Sequence, residues 1–264
     1  MMNNLSTLHV TAIQTSLQWE SRKENLNHFN AVLQGMDSDQ VDLVVLPEMF
    51  TTGFTMNAPH CSDHPEGETL HWMRRQAKYR NAAITGSVII EENGRHYNRL
   101  YFVWPEGRYE IYDKRHTFSF AGEDRVFTQG KTRLVIDYKG WKICPLICYD
   151  LRFPVWSRNT EEFDLLLYVA NWPASRIDSW DTLLPARAVE NLCYALGVNR
   201  VGEDGNGISY NGHSVVCDAL GNGMGQLEDD AIGLVSAILD KEELMKIRDR
   251  YRFLDDRDEF DLLV

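Results

Sequence analysis

The segment Trp141-Lys142-Ile143-Cys144-Pro145-Leu146-Ile147-Cys148-Tyr149-Asp150-Leu151-Arg152-Phe153-Pro154 is an apolar run of strand length that ends abruptly on a thiol and a carboxylate. Two other stretches are built the same way. Asp42-Leu43-Val44-Val45-Leu46 runs into Pro47-Glu48, and Tyr109-Glu110-Ile111-Tyr112 runs into Asp113-Lys114. In layered α/β folds, ligands bind where loops converge beyond the carboxyl ends of strands. Three such ends can bring a glutamate, a lysine and a cysteine to one place.

Working outward, further strands are expected at residues 8–14, 83–90, 100–104, 134–138, 165–170, 194–201, 214–218 and 231–238. Apolar residues at three- and four-residue spacing predict helices over 22–35, 69–80, 180–191 and 241–251. Strands alternate with helices in the outer thirds of the chain. In the middle, consecutive strands are joined by turns such as Glu91-Glu92-Asn93-Gly94 and Pro105-Glu106-Gly107. The mixture predicts two mixed sheets packed face to face with helices outside, a four-layer αββα sandwich. No linker, low-complexity segment or internal repeat divides the 264 residues, so a single domain is expected.

The formal net charge of −12 opposes nucleic-acid or anionic-membrane partners, and neither is expected. No apolar run approaches the roughly 20 residues that span a bilayer. Cys61, Cys144, Cys148, Cys193 and Cys217 form an odd, widely spaced set with no signal segment before them, which points to free thiols and a cytoplasmic protein.

Amide hydrolysis explains why glutamate, lysine and cysteine should meet. A thiol is a weak nucleophile until deprotonated, and a nearby carboxylate can take its proton and later return it to the leaving amine. Glu48 fits that role. The oxyanion formed on attack needs a fixed cation and an aimed backbone N–H, for which Lys114 and the N–H of Tyr149 are the candidates.

These residues and their surroundings resemble the nitrilase superfamily of carbon-nitrogen hydrolases. The likeness is carried by Leu46-Pro47-Glu48, by Tyr112-Asp113-Lys114-Arg115-His116 and by Cys148-Tyr149-Asp150-Leu151-Arg152-Phe153-Pro154. It continues through Asn171-Trp172-Pro173, residues 186–191, residues 197–202 and residues 210–214, so it covers nearly the whole chain. Within the superfamily, residues 46–54 and 149–159 are most similar to omega-amidases of bacterial type. The resemblance implies a Glu48-Lys114-Cys148 triad, a four-layer αββα fold and a homodimer. It also implies hydrolysis of 2-oxo dicarboxylic acid monoamides such as 2-oxoglutaramate and 2-oxosuccinamate, without a cofactor. A second glutamate, Glu123, stands nine positions after Lys114, where relatives carry one that orients the substrate amide and the lysine. His116-Thr117-Phe118 departs from relatives that often have leucine in the middle.

Arg152 and Arg176, both just beyond expected strand ends, are candidates for holding a substrate carboxylate, with Trp172 as a further substrate contact. Arg187 is expected to pair with Glu190. Cys144, Cys193 and Cys217 read as core residues, and Cys61 stays unassigned in a polar loop. Cys61-Ser62-Asp63-His64 lacks the second ligand cluster that zinc needs, so no metal is expected. Residues 221–225 are glycine-rich but open no helix and read as a turn, and no Gly-x-Ser-x-Gly elbow is present. Nitrile or N-carbamoyl amino acid hydrolysis on the same triad is the competing activity. A non-catalytic binding protein would be expected to have lost Glu48, Lys114 or Cys148, and all three are present.

Overall fold

The computed structural model describes residues 6–36 and 41–263. Its chain order is β1 (Thr7–Gln14), α1 (Arg22–Gly35), β2 (Leu43–Val45), α2 (Ala58–Cys61), α3 (Glu68–Arg80), β3 (Ala83–Glu92), β4 (Arg95–Val103) and β5 (Tyr109–Asp113). It continues with β6 (Ile136–Tyr138), β7 (Trp141–Ile147), β8 (Leu165–Val169), α4 (Ile177–Asn191), β9 (Tyr194–Val198), β10 (Val201–Glu203) and β11 (Ser209–Asn211). The last elements are β12 (Val215–Cys217), β13 (Gly223–Gln226), β14 (Gly233–Asp240) and α5 (Lys241–Tyr251).

Two six-stranded sheets are present, ordered β14-β1-β2-β3-β4-β5 and β13-β12-β9-β8-β7-β6. Each has three parallel strands at its heart, β1-β2-β3 in one and β7-β8-β9 in the other, with antiparallel neighbours outside them. The parallel strands are covered on both faces, which is why Leu165-Leu166-Leu167-Tyr168-Val169 is apolar throughout instead of alternating.

Alternation along β2 shows how the layers stack. Leu43 and Val45 face the core shared with the second sheet, where Ile143, Leu165 and Leu167 lie. Val44 faces Phe29 and Leu33 of α1 and Trp72 and Met73 of α3. On the other side, α4 lies against β9 because Gly197 carries no side chain. A Cβ there would sit 2.5 Å from Leu184 Cδ2 and Trp180 Cζ2. The C-terminal helix α5 is fastened beside the second sheet by Arg248, which donates to the Phe163 and Leu192 carbonyls and pairs with Asp164. The expected four-layer αββα sandwich is therefore present.

Several expected bounds change. Residues 194–201 are not one strand: the chain leaves the sheet at Asn199, whose side chain accepts from the Trp172 N–H at 2.7 Å and donates to the Gly212 carbonyl. Beyond it β10 pairs with β11 as a separate ribbon. The glycine-rich stretch expected as a turn opens as one, with the Gly221 N–H donating to the Asp218 carbonyl, but from Gly223 it runs into β13, an edge strand paired with β12 through a bulge. Helix α4 begins three residues earlier than its apolar spacing suggests, following directly from the 3-10 turn Ala174–Arg176.

Candidate active site

The apolar strands leave their sheets at four neighbouring points. Glu48 follows β2 and Lys114 follows β5 in the first sheet, and Cys148 follows β7 and Asn171 follows β8 in the second. The cluster therefore spans the gap between the sheets. Glu48 is held in place by its own loop: Ser87 of β3 accepts from the Met49 N–H at 2.9 Å through its hydroxyl and from the Phe50 N–H at 3.1 Å through its carbonyl. That close approach requires Gly86, where a Cβ would lie 2.8 Å from Leu46 Cβ.

Lys114 lies between two carboxylates. Its ammonium donates to Glu48 Oε1 at 2.9 Å, and to Glu123 Oε1 and Oε2 at 3.0 and 2.9 Å. Glu48 and Glu123 have no exposed surface, and Lys114 is 1% exposed. Burial alone would discharge the lysine, but Glu123 and then Glu48 outweigh it and raise its pKa above the ordinary lysine value. It remains an ammonium. Burial also raises the Glu123 pKa, an effect that Lys114 opposes and Glu48 reinforces. Glu123 is held by the Phe118 N–H and begins the 3-10 turn Glu123–Arg125.

Cys148 stands in the left-handed backbone region, φ +44°, at the start of the 3-10 turn Cys148–Arg152. A non-glycine residue there costs of order 1–3 kcal/mol and persists only when its surroundings enforce it. The sulfur borders a cavity, lies 4.0 Å from the Asn171 carbonyl oxygen and has Glu48 as its neighbouring carboxylate. Burial and then Glu48 push the thiol pKa well above its ordinary value, with Lys114 pulling the other way. The resting group is a thiol beside a base. Tyr149 is among the first residues of the turn, where N–H groups have no partner within the helix.

Two asparagines complete the cluster, and neither was assigned from the sequence. Asn98 of β4 is 1% exposed and donates to Glu48 Oε1 at 2.8 Å and to Glu123 Oε1 at 3.3 Å. Asn171 donates its backbone N–H to Glu48 Oε2 at 2.9 Å and its side chain to the Glu48 carbonyl at 2.6 Å. Glu48 thus accepts from Lys114, Asn98 and Asn171 while facing the thiol. The one sequence signal for Asn98 is its place two residues before the apolar run of the strand expected at 100–104, which the structure extends back to Arg95.

The cavity has a volume of about 610 Å³ and reaches Lys114 and Cys148. Arg152, Arg176, Tyr149 and Trp172 all line it. The Arg152 guanidinium lies 4.9 Å from the Trp172 ring centre, and that of Arg176 lies 5.0 Å from the Phe118 ring. Neither is paired with a carboxylate among the described residues. Arg187 behaves as expected, 3.0 Å from Glu190, and also donates to the Leu151 carbonyl in the 3-10 turn that Cys148 begins. Cys144, Cys193 and Cys217 are buried in the core. Cys61, expected in a polar loop, instead ends α2 at 5% exposure, with its pKa pushed up to about 11 by burial and then by Glu20.

The chain matches the carbon-nitrogen hydrolase family over residues 9–249. It is 47% identical to the omega-amidase YafV of Yersinia enterocolitica over 259 residues, which cover 98% of this chain and all of that protein. It is 30% identical to the 2-oxoglutaramate amidase of Bacillus subtilis (strain 168), covering 94% of this chain and 96% of the other. Among solved structures, a CN-hydrolase superfamily protein from Xanthomonas campestris, crystallised with an arsenic adduct in its active site, superposes with a TM-score of 0.94. It is 40% identical, over 97% of this chain and 99% of that one.

Proposed function

The chain belongs to the carbon-nitrogen hydrolase family, and on that footing we propose that it is an omega-amidase. It hydrolyses short 2-oxo dicarboxylic acid monoamides, such as 2-oxoglutaramate and 2-oxosuccinamate, to the dicarboxylic acid and ammonia. The observation that carries this reading is the cavity itself. The Cys148 thiol and the Lys114 ammonium, which is bonded to the buried carboxylate of Glu48, line a space whose lining also includes two guanidiniums unpaired with any carboxylate of the described residues.

The amide carbonyl carbon approaches Cys148 Sγ while its oxygen points at Lys114 Nζ and the Tyr149 N–H. As the S–C bond forms, the thiol proton passes to Glu48. The thiolate therefore exists only while it is attacking, which suits a thiol whose pKa is raised at rest. Lys114 stays charged through the cycle and meets the developing oxyanion, and one such donor is worth about 3–4 kcal/mol. Glu48 then protonates the amide nitrogen, the C–N bond breaks, and ammonia leaves a thioester on Cys148. Water attacks the thioester with Glu48 taking its proton, and collapse releases the acid and restores the thiol. Glu123 holds Lys114 and orients the amide.

Arg152 or Arg176 binds the far carboxylate, with Trp172, which lies beneath the Arg152 guanidinium, as a further substrate contact. Loss of a charge-assisted hydrogen bond to that carboxylate costs about 1.5–3 kcal/mol, or roughly ten- to two-hundredfold in kcat/KM. Ammonia release from 2-oxoglutaramate should exceed that from butyramide by such a factor, with nitriles and N-carbamoyl amino acids inert. Replacing the responsible arginine with methionine should erase the difference. Equal rates on the acid and methyl-ended amides would refute the omega-amidase reading.

We place the enzyme in the cytoplasm as a homodimer of single-domain chains, with no nucleic-acid or membrane partner. Five free cysteines suit a reducing compartment, the net charge of −12 opposes nucleic acid and anionic surfaces, and the dimer is what the family resemblance implies.

A further inference from the structure

Asp150 follows the nucleophile by two residues and has no exposed surface. Each of its oxygens accepts twice. Oδ2 takes the Ile147 N–H at 3.0 Å and the Tyr112 hydroxyl at 2.7 Å. Oδ1 takes the His116 N–H at 3.0 Å and faces His116 Nδ1 at 2.8 Å. Ile147 is the residue before Cys148, and Tyr112 and His116 stand two residues to either side of Lys114. One carboxylate therefore grips the chain immediately before the nucleophile and on both flanks of the lysine.

The donors are themselves held. Tyr112 OH accepts from Trp156 Nε1 at 3.0 Å, and the His116 ring stacks on Phe153 with centres 3.7 Å apart and planes 4° from parallel. Trp156 and Phe153 both belong to the segment that follows the nucleophile turn, so the linkage closes on itself across the two sheets. It also supplies what a left-handed Cys148 needs, a fixed anchor on the preceding N–H.

We infer that Asp150 is a positioning residue that sets the placement of Cys148 against Lys114, with His116 as its surface-side donor. The carboxylate touches no substrate; it fixes the distance between the attacking sulfur and the ammonium that receives the oxyanion. An aspartate is required because four donors converge on two oxygens. In Asp150→Asn the amide can accept on only one side, and its NH2 meets two donors on the other. This rests on Cys148 being the nucleophile and Lys114 the oxyanion partner.

The test is steady-state kinetics of ammonia release with thermal melting measured alongside. Asp150→Asn should lower kcat by about a hundredfold, as misplacing reacting groups by an ångström does, while KM changes little because the guanidiniums are untouched. Iodoacetamide should still label Cys148 in the folded variant. His116→Phe keeps the stack on Phe153 but removes the ring N–H, and His116→Asn restores a donor near Nδ1. The first should lose kcat and the second recover most of it. This pair decides the matter if Asp150→Asn does not fold. Wild-type kcat in folded Asp150→Asn, or equal kcat in the two His116 variants, overturns the inference. Activity surviving Cys148→Ala would instead overturn the nucleophile assignment beneath it.

Discussion

Asn98→Leu tests the electrostatics of the buried cluster most directly. The exchange keeps the branching and heavy-atom count of the side chain, and Asn98 Oδ1 has no partner among the described residues, so what is deleted is the pair of N–H groups reaching Glu48 and Glu123. A hydrogen bond to a charged acceptor contributes about 1.5–3 kcal/mol. The 2.8 Å bond to Glu48 carries most of the effect, and the 3.3 Å bond to Glu123 adds less. Donors favour the ionised carboxylate, so removing them makes the buried acids harder to ionise. At 1.36 kcal/mol per pH unit, the acid limb of kcat/KM should move up by about one to two units. Burial already raises Glu123, which makes the cluster sensitive to a lost donor. The assay is ammonia release from 2-oxoglutaramate between pH 5 and 9, with melting temperature as the folding control. Uniform loss at every pH would mean that Asn98 only fills space, and an unchanged profile would mean that Lys114 and Asn171 suffice to keep the carboxylates charged.

Lys114→Arg should cost at least about a hundredfold in kcat, because a planar fork cannot lie among Glu48, Glu123 and the oxyanion as a compact ammonium does; a mild loss would remove Lys114 from the oxyanion site. Cys148→Ala should abolish ammonia release while leaving the melting temperature close to that of the parent protein. Because burial raises the Cys148 pKa, its alkylation by iodoacetamide should keep accelerating as pH rises past the ordinary thiol range, and a plateau below pH 8 would contradict the environment described. Gly197→Ala should lower stability by about 1–3 kcal/mol through overpacking against Trp180 and Leu184. At roughly 2–4 °C per kcal/mol its melting point should fall accordingly, and an unchanged one would mean that α4 can shift freely.

The meeting of Glu48, Lys114 and Cys148 was legible because each follows an apolar strand, a pattern that sequence periodicity exposes and strand-end topology converts into proximity. The strands buried on both faces were legible for the same reason, as uninterrupted apolar runs. What escaped lacks that contrast. β10, β11 and β13 are short and polar or glycine-rich, and Asn199 redirects the chain through side-chain bonds to residues far away in sequence. Asn98 looks like an ordinary strand residue until the opposing carboxylates are in view. Cys61 sits among polar neighbours, yet the short helix α2 turns it inward, which no periodicity over four residues can reveal.

The cluster takes Glu48, Asn98 and Lys114 from one sheet and Cys148 and Asn171 from the other, joined by contacts as far apart in sequence as the 123 residues between Glu48 and Asn171. During refolding, neither sheet alone holds a working site, however complete its own hydrogen bonding. Recovery of enzymatic turnover should therefore trail recovery of the far-ultraviolet circular dichroism signal, since long-range docking is the slower event. Turnover becomes a stopwatch for the moment at which the two halves meet.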